Sequence, residues 1–394
     1  MQGKDKLVWF FKILNPGIMP SFYSTCTPGL EDVAAKEIEE LKGRVTKLSR
    51  GRVYFEGDLR LVATLNYWGR TIERVVLLLK ESRVENLDEI YKEVRRLDFS
   101  IIKPHQSFAI RSKRVGIHDF TSIDIARIAG QAVIDSYLAS KAVRLKVNLD
   151  EPDVIVRVEL IDSTLLVGID TTGDEGLHKR GYRVYQHPAP LNATIAASMI
   201  RLSGWKCDEV LVDPMCGSGT ILVEAAMMAK NVPPGKFRNE FAFTRIFGDE
   251  LLEEVKGYRE NLEISTPTLI GIERFEKHIR GAKQILEFTG FNFIKLMKGD
   301  ATRLDEFLDA GGVDVLITNP PYGLRIGKKG IIQELYSGFL RSASKVLRDR
   351  GKIVMITPEK ELVRCLAQDI GYSVEERPVA YGGIDACIFI LVKF

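Results

Sequence analysis

Apolar positions recur along this chain with two different periods, and the switches between them divide it into segments. From Ser21 to about Lys80, Phe22–Thr25 predicts a strand. Leu30–Ile38 follows Pro28-Gly29 and carries acids in its first turn, which predicts a helix. Strands near Val45–Leu48 and Arg52–Phe55, a helix near Leu59–Asn66 and the apolar run Val75–Leu79 complete a β-α-β-β-α-β order, the ferredoxin-like split. Helical spacing returns over Leu87–Leu97 and Ser122–Leu138. Val143, Leu145, Val147 and Leu149 then alternate with Arg144, Lys146 and Asn148, predicting a strand with one buried face and one basic face. Val154–Ile161 and Thr164–Ile169 predict a hairpin about Asp162-Ser163.

The stretch 171–190 is rich in Gly, Pro and charge and predicts a linker. Beyond Leu191, apolar runs fit buried strands at Glu209–Val212, Thr268–Ile272, Ile294–Met297, Val313–Thr318, Lys352–Thr357 and Cys387–Val392. Helical patterns at Ile221–Ala229, Arg274–Phe288, Ile331–Leu347 and Glu359–Asp369 lie among them, which predicts a parallel, doubly wound sheet. Val374–Ala380, Gly382-Gly383 and the last strand predict a closing antiparallel hairpin. The expected division is an extension at 1–20, a ferredoxin-like unit at 21–85, a second α+β unit at 86–172, a linker at 173–190 and a Rossmann-like α/β unit at 191–394.

Composition changes this picture little. A 394-residue chain with 45% hydrophobic residues can bury more than one core, which argues against disorder. No apolar run approaches the roughly 20 residues that span a bilayer, so no membrane partner is expected. Cys26, Cys207, Cys216, Cys365 and Cys387 form no C-x-x-C, and the five His form no H-E-x-x-H. No metal is expected, and the odd cysteine count fits reduced thiols in a cytoplasmic protein. A net charge of +3 does not by itself mark a nucleic-acid binder.

Candidate chemistry begins at L-V-D-P-M-C-G-S-G-T, where an apolar strand ends in Asp213 and a small-residue turn opens a helix. Ligands in open α/β sheets sit at such strand ends. Gly217 and Gly219 admit a close backbone approach, or merely make a tight turn. A P-loop would need Lys after the glycines, and Thr220 is followed by Ile221 and Leu222. A dinucleotide fingerprint would need a third Gly where Leu222 stands. Acids at three strand ends, Asp213, Glu273 and Asp300, would repel a phosphate but suit adenosine and a sulfonium. Their alternative role is to cap the helices that follow.

Residues 319–322 read Asn-Pro-Pro-Tyr directly after the strand D-V-L-I-T. Two prolines stiffen the turn and leave its carbonyls free. The side-chain carbonyl of Asn319 and the main-chain carbonyl of Pro320 can accept both hydrogens of a nucleobase amine, and Tyr322 can stack on the base. Acceleration would come from aligning nitrogen, methyl carbon and sulfur. The plain alternative is a proline turn that closes a strand.

D-P-M-C-G-S-G-T and N-P-P-Y-G, preceded by R-G-Y-R and H-P-A-P-L-N-A-T-I-A-A and joined by N-V-P-P-G-K-F-R-N-E-F-A-F, resemble the S-adenosylmethionine-dependent RNA guanine-N2 methyltransferases that carry a THUMP domain. The resemblance covers about 21–394 and is densest over 178–325. It implies ferredoxin-like and THUMP domains ahead of a class I methyltransferase domain, S-adenosyl-L-methionine as cofactor and tRNA as partner; a monomer is the expected oligomeric state. Asn319, where the branch acting on tRNA guanosine ten usually has Asp, points to the branch acting on guanosine six of the acceptor stem. The rRNA guanine-N2 enzymes share N-P-P-Y and stay open as an alternative, as does a DNA amino-methyltransferase. A catalytically silent RNA binder is the contrasting class.

By the same resemblance, Asp213, Cys216, Gly217, Ser218, Gly219 and Thr220 would contact the methionine and ribose parts of the cofactor. Glu273 would hold the ribose, Asp300 with Ala301 the adenine, and His187, Ala189, Pro190, Leu191 and Asn192 would cover the methionine end. Asn319, Pro320 and Tyr322 would hold guanine, and Arg325 would meet substrate phosphate or cap its loop. Between Lys103 and Lys146 eight basic residues face three acids. Arg111, Lys113, Arg114, Lys141, Arg144 and Lys146 are therefore the candidates for RNA phosphates. A solvated surface is the alternative for each.

Overall fold

The computed structural model describes residues 19–258, 266–322 and 329–394. In the first half β1 (Ser21–Thr25), α1 (Glu31–Glu40), β2 (Arg44–Ser49), β3 (Arg52–Glu56), α2 (Leu59–Trp68) and β4 (Arg74–Arg83) follow the predicted order. α3 (Leu87–Arg95), β5 (Ser107–Val115), α4 (Ser122–Lys141), β6 (Lys146–Val147), β7 (Val154–Ile161) and β8 (Thr164–Asp170) come next. Side chains start these helices where the sequence changes period. Asn86 accepts from the Glu89 amide at α3, and Thr121 and Asp124 form a reciprocal capping box at α4.

The two N-terminal units share one eight-stranded sheet, ordered β2-β3-β1-β4-β8-β7-β5-β6. β4 makes the join: it runs ten residues, to Arg83 rather than Leu79, and pairs antiparallel with β8 from Val76↔Asp170 to Arg83↔Thr164. β5 is a strand the periodicity does not announce; it lies parallel to β7 over eight residue pairs. The strand expected over 143–149 shrinks to Lys146–Val147 at the sheet edge. Leu145 is buried there, but Val143, Val147 and Leu149 are 37–65% exposed, because an edge strand of two residues has no second layer to cover them.

The second half comprises α5 (Ala193–Ser203), β9 (Leu211–Asp213), α6 (Thr220–Ala229), α7 (Ala242–Phe247), α8 (Glu250–Lys256), β10 (Leu269–Glu273), α9 (Glu276–Thr289), β11 (Lys295–Lys298) and β12 (Val313–Thr318). α10 (Lys329–Val346), β13 (Leu347–Thr357), α11 (Lys360–Ile370), β14 (Tyr372–Tyr381) and β15 (Ile384–Lys393) complete it. Its seven strands are ordered β11-β10-β9-β12-β13-β15-β14. The first five are mutually parallel, and β15 runs antiparallel to both β13 and β14. From β9 the chain winds outward through β10 and β11, then returns to the other flank of β9 as β12. That reversal brings the carboxyl ends of β9 and β12 side by side, the place where open sheets bind ligands.

The segment 173–190, expected as a linker, is built into the protein instead. Leu177, Arg180 and Tyr182 are buried. A Cβ on Gly181 would stand 1.6 Å from the Phe237 carbonyl oxygen, so only glycine fits there. The stretch around α7 and α8 gives Phe241, Phe243, Ile246 and Val255 to the core of the N-terminal sheet, and Trp68 Nε1 donates to the Val255 carbonyl at 2.7 Å. In return Leu30 and Val33 join the core of the C-terminal sheet, and the Ala380 amide donates to the Pro28 carbonyl at 3.1 Å. The two sheets are thus fixed against each other by apolar packing and backbone bonds.

Candidate active site

β9 delivers Asp213 to the floor of the site at 2% exposure. Burial pushes its carboxyl up to about 7, with Glu273 adding to the rise, while the Met215 amide (3.2 Å from Oδ1) and the Thr318 hydroxyl act against it. The following turn needs its glycines, since Gly217 and Gly219 have φ of +52° and +77°. Glu273, at the end of β10, clasps this turn. Its Oε2 accepts from the Gly217 amide at 3.0 Å and its Oε1 from the Phe275 amide at 2.8 Å. Each oxygen retains a lone pair for a ligand hydroxyl. Burial drives the Cys216 thiol well above its ordinary range, which leaves it unreactive.

Asp300 fulfils the capping alternative, because its Oδ1 accepts from the amide and the hydroxyl of Thr302 at 2.9 and 2.8 Å. Its partial burial raises the carboxyl, but the Thr302 bonds, Arg274 and Arg303 outweigh that and hold it below the usual carboxylate range. Oδ2 takes none of these bonds. Asp300 and Ala301 stand beyond the end of β11, next to Gly299, whose amide donates to the Glu273 carbonyl at 3.1 Å.

A strap of residues 185–190 passes over this turn. The Ala189 amide donates to His187 Nδ1 at 3.2 Å, and a Cβ on Gly217 would lie 3.2 Å from His187 Nε2. Burial, with His278 beside it, lowers the His187 pKa and keeps the ring neutral. Asn192 caps α5 by accepting from the Thr194 amide at 2.9 Å, and it reaches Glu73 of the N-terminal sheet at 3.4 Å. Between strap and turn lies a narrow cleft that opens to solvent. Its lining joins His187, Ala189, Pro190 and Leu191 with Asp213, Cys216, Gly217, Ser218, Thr220 and Asn319.

Asn319 and Pro320 follow β12 directly. Tyr322 Oη donates to Asn319 Oδ1 at 3.1 Å, and burial raises the Tyr322 phenol. The proline turn is pinned from below by Tyr336 of α10. Its hydroxyl lies 3.3 Å from the Pro321 carbonyl oxygen and 2.8 Å from Thr357 Oγ1. Asn319 lines the cleft, and the proline turn that follows it is held by these bonds, a geometry compatible with holding a planar amine beside Asp213.

The basic candidates separate. Arg111 is a strut, with Nε and Nη2 on the Asp174 carboxylate at 2.7 and 2.9 Å and Nη2 on the Leu149 carbonyl at 2.9 Å. Arg114 turns toward the Gly116 carbonyl at 3.3 Å. Lys113, Lys141, Arg144 and Lys146 are exposed. Arg325 lies outside the described residues. Among the described residues no three His, Cys, Asp or Glu gather in a metal-binding group, and no helix is long and apolar enough to cross a membrane.

Models of three known domains match in sequence: the RlmL ferredoxin-like domain over 21–76, the THUMP domain over 84–170, and the RMKL-like methyltransferase domain over 180–387. The last alone spans more than half of the chain. This chain belongs to the RMKL-like methyltransferases. Two relatives, from Archaeoglobus fulgidus and Methanocaldococcus jannaschii, are each named tRNA (guanine(6)-N2)-methyltransferase. They are 49% and 48% identical over 94% of this chain and cover 92% and 99% of their own lengths. Among solved structures, a possible methylase from Clostridium difficile 630 matches with a TM-score of 0.81 at 28% identity, covering 95% of this chain and 98% of its own. SMU.472, solved in complex with SAH, matches with a TM-score of 0.80 at 26% identity and the same coverage.

Sequence reasoning did not single out several residues that pack around Glu273, the strap and the proline turn. Tyr336 reads as one apolar position of a helix, and nothing in the pattern shows that its hydroxyl points at the proline turn. Phe275 is 60% exposed beside Glu273, and Tyr185 and His278 meet across the strap. The only available signal was their nearness in sequence to an already chosen residue.

Proposed function

We propose that this methyltransferase moves the methyl group of S-adenosyl-L-methionine to the exocyclic N2 amine of the guanosine at position six of tRNA, acting as a monomer in the cytoplasm. The observation that carries the reading is that Asn319 lines the same cleft as the Asp213–Thr220 turn, so an amine held by the proline turn faces whatever the turn holds. The names of the two relatives support the choice of tRNA and of guanosine six.

The cleft fits that cofactor. Among the described residues its only charged lining group is the buried Asp213, and no described Lys or Arg lines it, which favours a cation over a phosphate. The cofactor supplies a methyl group on positively charged sulfur. Asn319 Oδ1 and the Pro320 carbonyl accept the two amine hydrogens and turn the nitrogen lone pair toward the cleft, while the Tyr322 ring lies against the base. The neutral His187 and the strap exclude water from one side. No side chain has to remove a proton beforehand, because the amine becomes acidic only as the new bond forms.

The test is incubation of the purified chain with labelled S-adenosylmethionine and tRNA transcripts, followed by nucleoside analysis. N2-methylguanosine is expected with guanosine at position six and none when adenosine replaces it. Label at another position, or on rRNA fragments alone, overturns the assignment.

Asp213 also gives a pH dependence. Its folded pKa of about 7 lies above the ordinary carboxyl range. Between about pH 4 and 7 the folded chain therefore holds a proton that the unfolded chain has released. Asp213 thus favours folding at low pH, and that contribution is lost as pH rises toward 7. A bound cation has the opposite preference, for the ionised carboxylate. Affinity for S-adenosylmethionine should rise by about fivefold from pH 6 to pH 7 and by up to about tenfold from pH 6 to pH 8, and level off above that. Asp213→Asn should flatten the profile. Calorimetric titration at pH 6, 7 and 8 measures it, and a flat wild-type profile removes Asp213 from the cation's surroundings.

A further inference from the structure

α9 contains a glycine, Gly281, in its interior, where glycine weakens a helix relative to alanine. The neighbourhood explains it. A Cβ at 281 would lie 2.3 Å from Cδ1 and 2.4 Å from Cε1 of Tyr185, so the Tyr185 ring rests directly on the helix backbone. Three residues earlier on the same face of α9, His278 Nδ1 lies 2.9 Å from Tyr185 Oη in a hydrogen bond. His278 in turn packs against His187, with ring centroids 4.3 Å apart, and His187 faces Gly217. At the other end of the strap, Tyr381 Oη donates to the Pro190 carbonyl at 3.1 Å. The strap is therefore fastened at both ends, to α9 and to the closing hairpin.

We propose that Tyr185 and His278 are positioning residues for the cofactor, which fasten the strap so that the His187 ring stands over Gly217 and closes the cleft. Gly281 is the seat that lets Tyr185 reach them. This inference rests on the reading that the cleft holds S-adenosylmethionine. It makes three residues outside the cleft lining determinants of cofactor affinity, acting through His187 and not by touching the cofactor.

The experiment measures equilibrium binding of S-adenosylmethionine and SAH by calorimetry, KM for cofactor and for tRNA separately, and Tm. Tyr185→Phe removes one hydroxyl and keeps the ring on Gly281. Its Kd and KM for cofactor should rise about three- to tenfold, the value of one hydrogen bond, with KM for tRNA moving less than twofold. Gly281→Ala displaces the ring and should weaken cofactor binding by more than about tenfold, while its Tm should move little, since the better helix propensity of alanine offsets much of the lost ring packing. A cofactor Kd within twofold of wild type in Tyr185→Phe overturns the proposal. So does a parallel rise of both KM values, or a Tm loss in both variants with cofactor affinity intact. If the wild-type chain binds neither ligand, the reading of the cleft fails and this inference fails with it.

Discussion

Asn319→Ala is expected to lower kcat for tRNA methylation by about 10³-fold, of the order seen when one group aimed at developing charge is removed. The guanine amine is a poor nucleophile because its lone pair is delocalised into the ring. The two carbonyls act by fixing the amine hydrogens and by accepting the positive charge that grows on nitrogen as the bond forms. Pro320 cannot be truncated without moving the backbone, so Asn319 is the half of the pair open to mutation. Its side chain is half-buried and its Oδ1 is bonded to Tyr322, so the substitution opens no core cavity. The Kd for SAH and the Tm should accordingly stay near wild type. Asn319→Asp retains an acceptor and should keep more activity than Asn319→Ala. Tyr322→Phe loses only the bond to Asn319 Oδ1 and should cost less than either. Single-turnover rates at saturating cofactor test the series, and an Asn319→Ala rate within tenfold of wild type would exclude the carbonyl clamp.

The sequence made Asn319 and the Asp213 turn visible for one reason. Both follow a continuous apolar strand, and both use residues whose effect is local: two prolines that fix φ, and two glycines that must adopt positive φ. Buried strands such as Val313–Thr318 were legible on the same grounds. What depends on a third element was not. Arg111 looked like a phosphate contact, and only the fold brings Asp174 to it across 63 positions. The alternation over 143–149 was real, but burial needs a covering layer that the sheet edge lacks. β5, S-F-A-I-R-S-K-R-V, hides because its outer half is basic. The Gly- and Pro-rich stretch 173–190 has the composition of a linker, yet Arg180 and Tyr182 within it are buried. Composition reports the average solubility of a segment; it does not report whether one charge in it has a buried partner.

Glu224→Ala is expected to be the most destabilising of the substitutions considered, because it strands that charge. Glu224 lies on α6, wholly buried, one turn past Thr220. Its Oε1 accepts from Arg180 Nε at 3.1 Å and from the Tyr182 hydroxyl at 2.9 Å, and its Oε2 from Arg180 Nη2 at 3.4 Å. Arg180 continues outward, donating to the Leu177 carbonyl at 2.6 Å and the Arg70 carbonyl at 2.8 Å. Arg70 itself donates to the Met227 and Val232 carbonyls at 3.2 and 2.8 Å, and its amide meets the Glu37 carboxylate at 3.0 Å. One knot of charge thus ties α1, the end of α2, the strap's approach and α6, and so joins the sheet that carries the THUMP domain to the helix that begins at the Asp213–Thr220 turn. Removing Glu224 leaves the Arg180 guanidinium buried without its counter-charge, a change that costs about 3–5 kcal/mol. For a chain of this length that corresponds to a Tm lower by about 5 °C in scanning calorimetry. The cost belongs to the unpaired charge and not to the loss of a favourable pair. Replacing both partners, as Arg180→Met with Glu224→Leu, should therefore recover most of the lost stability. Because the knot spans both sheets, the transition should shift as a single peak. A Glu224→Ala Tm within 1 °C of wild type, or a double variant less stable than the single one, would contradict this account of how the two halves are held in register.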